Sequence, residues 1–125
     1  MSAYTKINFM DIEPDGSPEN ELRFSRKLLD SRDLGLTLRR FAPNYRSDRT
    51  HLHKVQEEVY VVTAGSGRAL LDDKVEELKK WDVLRVAPET LRTFEAGPEG
   101  LELVIAGGPK PGGGDGVPTD ANWPK

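Results

Sequence analysis

His51 and His53 are the only two histidines in the chain, and they stand two residues apart. On a β-strand, residues i and i+2 project to the same face, so imidazoles at this spacing can reach one ion. A carboxylate follows at Glu57 or Glu58. Strand alternation groups Glu58 with Tyr60 and Val62, and Glu57 with Val59 and Val61. Two imidazoles and a carboxylate suit Zn, Fe, Mn, Ni or Cu, and a facial set of three leaves positions open for substrate or oxygen. An isolated His-x-His is equally at home as a hydrogen-bonded structural pair, so the surrounding elements have to decide. The chain has no cysteine, which excludes a disulfide framework and any thiolate metal site. It carries no Ser-His-Asp or Cys-His arrangement, no phosphate-cradling loop and no zinc-finger spacing.

Strands are what must position these groups. Residues 34–41 alternate, with Leu36, Leu38 and Arg40 on one face and Gly35, Thr37, Arg39 and Phe41 on the other. After the break at Pro43-Asn44, a second strand begins at 51–53, and the β-branched run 58–64 ends in Gly65-Ser66-Gly67, read as a turn. Segments 68–71 and 75–78 flank Asp72-Asp73-Lys74 as a hairpin. Segments 83–86, 92–96 and 101–106 follow, separated by turns at 79–82, 88–90 and 97–100. Short strands at intervals of about 8–12 residues predict an all-β sandwich or barrel. Ahead of them, residues 4–9 read as an edge strand and 11–20 as a loop. Residues 21–28 read as a strand, with a short helix as the alternative because Leu22 and Leu29 also fit a helical stripe.

The composition suits one thin-cored domain: 125 residues, 36% hydrophobic and 31% charged. A net charge of −3 argues against nucleic acid as the partner. No apolar run is long enough to span a membrane, and the N-terminus lacks the apolar segment of a secretory signal, which points to the cytoplasm. Basic residues concentrate between Arg23 and Lys54. They read either as one solvated face or as an anion-attracting rim, and strand alternation scatters them over both faces.

The run from His51 through His53 to Glu58, with Gly65 beyond it, resembles the first motif of the cupin superfamily, in which His-x-His, Glu and Gly recur at this spacing. Residues 81–88 look like the approach to the second cupin motif. The resemblance covers 34–106 and implies a double-stranded β-helix, or jelly-roll, barrel. Residues 1–33 would then be an N-terminal arm packing on the barrel, and 107–125 a Gly/Pro-rich tail with Trp123 as its anchor, against the barrel or a partner subunit. It implies a homodimer and a divalent metal (Zn, Mn, Fe or Ni) held by His51, His53, Glu58 and a further histidine from the second motif. The chain departs from that pattern. Tyr45 and Trp81 stand where glycines are expected, and Arg92 occupies the position of the fourth ligand, with Phe94 sharing its face.

An arginine cannot coordinate a metal and needs an anion when buried. Two outcomes follow. In one, Arg92 pairs with Glu58 and the histidines become ordinary barrel groups. In the other, a three-ligand metal site survives and Arg92 holds a substrate carboxylate or phosphate. The expected cavity residues are Arg92, Tyr60, Arg40 and Phe94. The function expected is a small cupin with a divalent-metal and small-molecule cavity, with isomerase, dioxygenase and decarboxylase activity on a small anion as the candidate reactions. The alternative is a metal-free ligand-binding or structural homodimer.

Overall fold

The computed structural model describes residues 3–47, 50–53, 56–108, 116–119 and 123. Arg49 and Lys54 of the basic stretch, and most of the tail, lie outside the described residues. The strands are β1 (Asp15–Ser17), β2 (Asn20–Phe24), β3 (Gly35–Phe41), β4 (Thr50–His53), β5 (Glu58–Leu71), β6 (Lys74–Lys79), β7 (Val83–Val86), β8 (Arg92–Gly107) and β9 (Gly116–Thr119). One short helix, α1 (Arg26–Leu29), and a 3-10 turn at Phe9–Asp11 complete the described elements.

Two long strands organise the molecule. β5 pairs with β8 along its whole length, from Glu58 opposite Gly107 to Leu71 opposite Arg92. The early half of β5 also pairs with β7, and its later half with β6. On β8, residues 101–107 pair with β3, which continues to β2 and β1, whereas Arg92 pairs with His51 of β4. One antiparallel sheet therefore curls into two facing halves joined through β5 and β8. The core lies between them, with Phe41, Tyr60, Val62, Phe94, Leu101 and Leu103 among its members.

The curl is made where sequence reading placed turns. Gly65-Ser66-Gly67 and residues 97–100 do not end strands; both lie inside them, at register shifts between Val62 and Ala64 and between Gly65 and Gly67. Gly65 has φ +73°, and a Cβ there would stand 2.0 Å from the carbonyl oxygen of Gly100, itself at φ +85°. Only two glycines let the backbones cross this closely in that conformation. The signal is real, but it marks a bulged corner rather than a chain reversal.

The N-terminal third differs in detail from expectation. Residues 4–9 form no strand, and the 11–20 segment contains β1, which closes a hairpin on β2. The strand expected over 21–28 stops at Phe24, and α1 takes over after Ser25. Both faces of β3 are covered, which changes its reading. Phe41 enters the core, so Thr37 and Arg39 face inward with it. Leu38 is buried on the opposite face, where its cross-strand neighbour Arg23 donates to the carbonyls of Phe9, Met10 and Ile12.

The C-terminal segment contributes to the barrel. β9 pairs with β4 along its length, placing Gly116 opposite His53 and Pro118 opposite His51. Trp123 is buried, and its Nε1 donates to the Ser47 carbonyl at 3.1 Å. The guanidinium groups of Arg46 and Arg68 lie 4.9 and 5.4 Å from its ring centre, and both pair with Glu95. Cation–π contacts of this kind anchor an aromatic side chain against a polar surface.

Candidate functional site

Two strands distant in the ladder supply the predicted ligands. β4 carries His51 and His53, and Glu58 opens β5, opposite Val86 of β7 and Gly107 of β8, with its carboxylate reaching His53. One ligand atom from each of His51, His53 and Glu58 falls within 4.8 Å of the others. The imidazole rings meet edge to face, with centroids 5.3 Å apart. His53 is buried, its Nε2 lies 3.3 Å from Glu58 Oε1, and its backbone N–H donates to the Pro88 carbonyl.

Arg92 is fully buried and committed. Its Nη1 donates to Glu58 Oε1 at 2.9 Å. Nη2 donates to the carbonyls of Ala87 (2.6 Å), Pro88 (2.9 Å) and Thr90 (2.9 Å), and Nε donates to Thr90 as well. The guanidinium thus staples the turn between β7 and β8 to the carboxylate. Tyr60 donates its hydroxyl to the same oxygen, Glu58 Oε1, at 2.5 Å, and its ring packs on Phe94 with centroids 4.8 Å apart. Among the described residues no donor reaches Glu58 Oε2. Oε1, the oxygen 3.3 Å from His53 Nε2, is therefore the one held by Arg92 and Tyr60.

Burial dominates the ionisation of the site. It pushes the His51 imidazolium down to about 4, against the attraction of Glu58 and with the repulsion of Arg92, His53 and Arg39 adding to it. His51 is accordingly neutral at pH 7, as a metal ligand must be. Burial, then the charge and hydrogen bond of Glu58, raise the Tyr60 hydroxyl, so Tyr60 remains a phenol donor. The His51 shift carries a stability consequence. Between about pH 6.5 and 4 the unfolded chain binds a proton that the folded chain refuses, so stability falls as pH falls through that window. Urea titrations of metal-free protein are expected to lose up to about 3 kcal/mol across it, and His51→Asn to flatten that part of the profile.

The cavity residues divide. Tyr60, Phe94 and Arg92 lie inward, where they pack or brace Glu58. Arg40 does not join them. Its Nε donates to Glu102 Oε2 at 2.8 Å, with Glu21 3.6 Å away and the Met10 sulfur alongside, all on the outer face of β3. Arg39 takes the inward position instead, over the Phe41 ring at 4.5 Å and close enough to repel a proton on His51. Apolar alternation pointed to the wrong face because Leu38, on the same face as Arg40, is itself buried beneath the N-terminal segment. A cleft of about 740 Å³ opens beside the site, where a cavity was expected, but none of Arg92, Tyr60, Arg40 and Phe94 is among the residues that line it. His53, Gln56 and Glu58 line it together with Arg26 of α1 and Phe24 of β2. These residues are brought in by pairing distant in sequence, and no local motif marks them.

The donor set fits a divalent ion. Ligands held about 2.0–2.2 Å from a metal stand roughly 3–3.5 Å apart, so side-chain tip movements on the order of 1 Å would bring this group to that spacing.

A curled antiparallel sheet that gathers two histidines and a carboxylate inside one half defines a small cupin-fold protein. Solved structures of that fold match most of the chain. A cupin protein from Bacteroides fragilis is 21% identical, covering 94% of this chain and 92% of its own, with a TM-score of 0.72. A variant of oxalate decarboxylase from Bacillus subtilis is 20% identical over 82% of this chain, with a TM-score of 0.73. This chain spans only 29% of that enzyme's length. The polyketide cyclase RemF from Streptomyces resistomycificus is 18% identical over 83% of this chain and 78% of its own, with a TM-score of 0.71. At these identities the likeness is one of fold. No protein-family model and no curated protein sequence matches the chain. Among the described residues no helix is long and apolar enough to cross a membrane.

Proposed function

We propose that this small cupin-fold protein binds one divalent metal ion through His51, His53 and Glu58, and receives a small molecule in the adjoining cleft. The observation that carries the reading is the grouping of those three ligand atoms within 4.8 Å, around a Glu58 carboxylate that Arg92 and Tyr60 hold in place. His53 and Glu58 both face the cleft of about 740 Å³, a volume that suits a small-molecule ligand. A bound ion would supply Lewis-acid polarisation of a ligand oxygen. The protein's own residues hold the carboxylate still and keep His51 neutral. Zn, Mn, Fe and Ni all suit two imidazoles and a carboxylate. The expected homodimer and the cytoplasmic location rest on the sequence resemblance and composition.

Elemental analysis tests the metal. Protein prepared without a histidine tag, exposed to Mn, Fe, Ni or Zn and then desalted, is expected to retain about one equivalent of metal, and the His51→Ala/His53→Ala double variant less than about a tenth of that. Wild-type protein that emerges metal-free from all four would refute the reading. A second reading, metal-free ligand binding, is favoured by the Arg92–Glu58 pair at 2.9 Å, which draws charge from the carboxylate. It predicts that the double histidine variant keeps any ligand-induced thermal stabilisation shown by the wild type.

A further inference from the structure

The register of the curled sheet aligns Gly35, Gly107 and Glu58 in one row across β3, β8 and β5. Two positions beside the candidate ligand therefore carry no side chain, and other groups use the space. A Cβ on Gly35 would stand 2.7 Å from Nε and Nη2 of Arg26, and one on Gly107 would stand 2.6 Å from Nε2 of Gln56. Arg26 is the first residue of α1, and its guanidinium lies over Gly35 with Nη2 donating to the Gly108 carbonyl at 2.8 Å and, weakly, to Gly107 at 3.5 Å. Among the described residues, no acceptor takes the hydrogens on Nε or Nη1. Asp30, on the same lip of the cleft, makes no ion pair with it. The cleft thus holds a fixed cation with unspent donors, on the same wall system as His53 and Glu58.

The neighbouring row is apolar where it borders the cleft. Phe24, Thr37 and Ile105 pair in sequence across β2, β3 and β8, all three line the cleft, and Phe24, at 50% exposed, is a large apolar side chain open to this space. A half-exposed phenylalanine beside a guanidinium with unspent donors forms a surface for a molecule with an apolar body and an anionic end.

We infer that Arg26 is the anion-recognition residue of this cleft, and that the ligand is a small carboxylic acid whose apolar body lies against Phe24. The inference rests on the cleft being the ligand site of the proposed function. It gives the anion-binding role to a residue other than Arg92, whose donors are spent on Glu58 and three carbonyls.

Calorimetric titration of the full chain with 3-phenylpropanoate, hexanoate, acetate and the uncharged 3-phenylpropanamide tests it. 3-Phenylpropanoate is expected to bind about tenfold or more tightly than its amide, the scale of one charge-assisted contact. Arg26→Met should abolish that preference, and Arg26→Lys should restore part of it. Phe24→Ala should weaken 3-phenylpropanoate and hexanoate while leaving acetate unchanged. Because Arg26 also ties down the Gly107 and Gly108 carbonyls, Gly35→Ala serves as the second variant. It keeps the charge but displaces the guanidinium, and should cost as much preference as Arg26→Met. Equal binding of acid and amide, binding of neither longer acid, or a preference that survives both Arg26→Met and Gly35→Ala would overturn the inference. Metal content read on the same samples separates the two readings. Arg26-dependent binding by protein that retains none of the four metals sinks the metal assignment and upholds this one, whereas metal retention without Arg26 dependence does the reverse.

Discussion

Replacing Arg92 with methionine is expected to destabilise the metal-free protein by about 3–5 kcal/mol, the range found when one partner of a buried pair is removed. Methionine approximates the length of the side chain but donates nothing. The carbonyls of Ala87, Pro88 and Thr90 would lose the donors that now bind them, and Glu58 Oε1 would lose its cation. The turn those carbonyls belong to also accepts the backbone N–H of His53, so the damage reaches β4. Urea unfolding followed by far-UV circular dichroism should show a lower midpoint with an unchanged slope. Metal affinity of the folded fraction should move the other way. Removing a guanidinium 2.9 Å from the carboxylate raises the negative potential at the site, and excess metal should recover part of the lost stability. A loss below about 1 kcal/mol would mean that water replaces the guanidinium without penalty, and that Arg92 is not the brace described.

Glu58→Gln is expected to have the second largest effect, on two measurements at once. The amide keeps the size of the side chain and can still accept from Tyr60, but it leaves the Arg92 charge, with no exposed surface, facing a neutral partner. The cost should be about 3 kcal/mol, the lower end of the buried-pair range, because Glu58 itself borders the cleft and retains 14% side-chain exposure. Metal retention should fall with it, since a neutral amide is a poor third ligand for a divalent ion. The double variant Arg92→Met/Glu58→Gln discriminates pair from parts. If the two residues act as one unit, its loss should fall short of the sum of the singles by about 1–3 kcal/mol. Strict additivity would show that Arg92 works on the turn carbonyls alone.

Much of the architecture was legible locally. Period-2 alternation identified β3, β7 and the ends of β5 and β8, and Asp72-Asp73 marked the β5–β6 hairpin, where Asp72 adopts φ 55°. The same alternation put His51 and His53 on one face and Arg92 with Phe94 on another, and these faces do meet. Alternation failed where a strand is covered on both sides, as at β3, since it reports two faces without saying which is the barrel interior. The glycine signals at 65–67 and 97–100 were ambiguous for a related reason. Glycine marks a backbone that must bend or approach closely, and a bulged corner asks for it as much as a turn does.

By itself the sequence determined the all-β class, the His-x-His pair with its carboxylate, and the presence of an arginine where a further imidazole was expected. Those features depend on neighbours within a few residues, and strand geometry converts such spacing directly into facing side chains. Tertiary structure alone decided what Arg92 binds, that Arg39 rather than Arg40 enters the barrel, that β9 flanks the histidine strand, and that Arg26 lies over Gly35 at the cleft. Each of these is a contact between segments distant in the chain, such as Arg92 with Glu58 or β4 with β9. Register between such segments is set by the packing of the whole sheet, so no short window of sequence contains it.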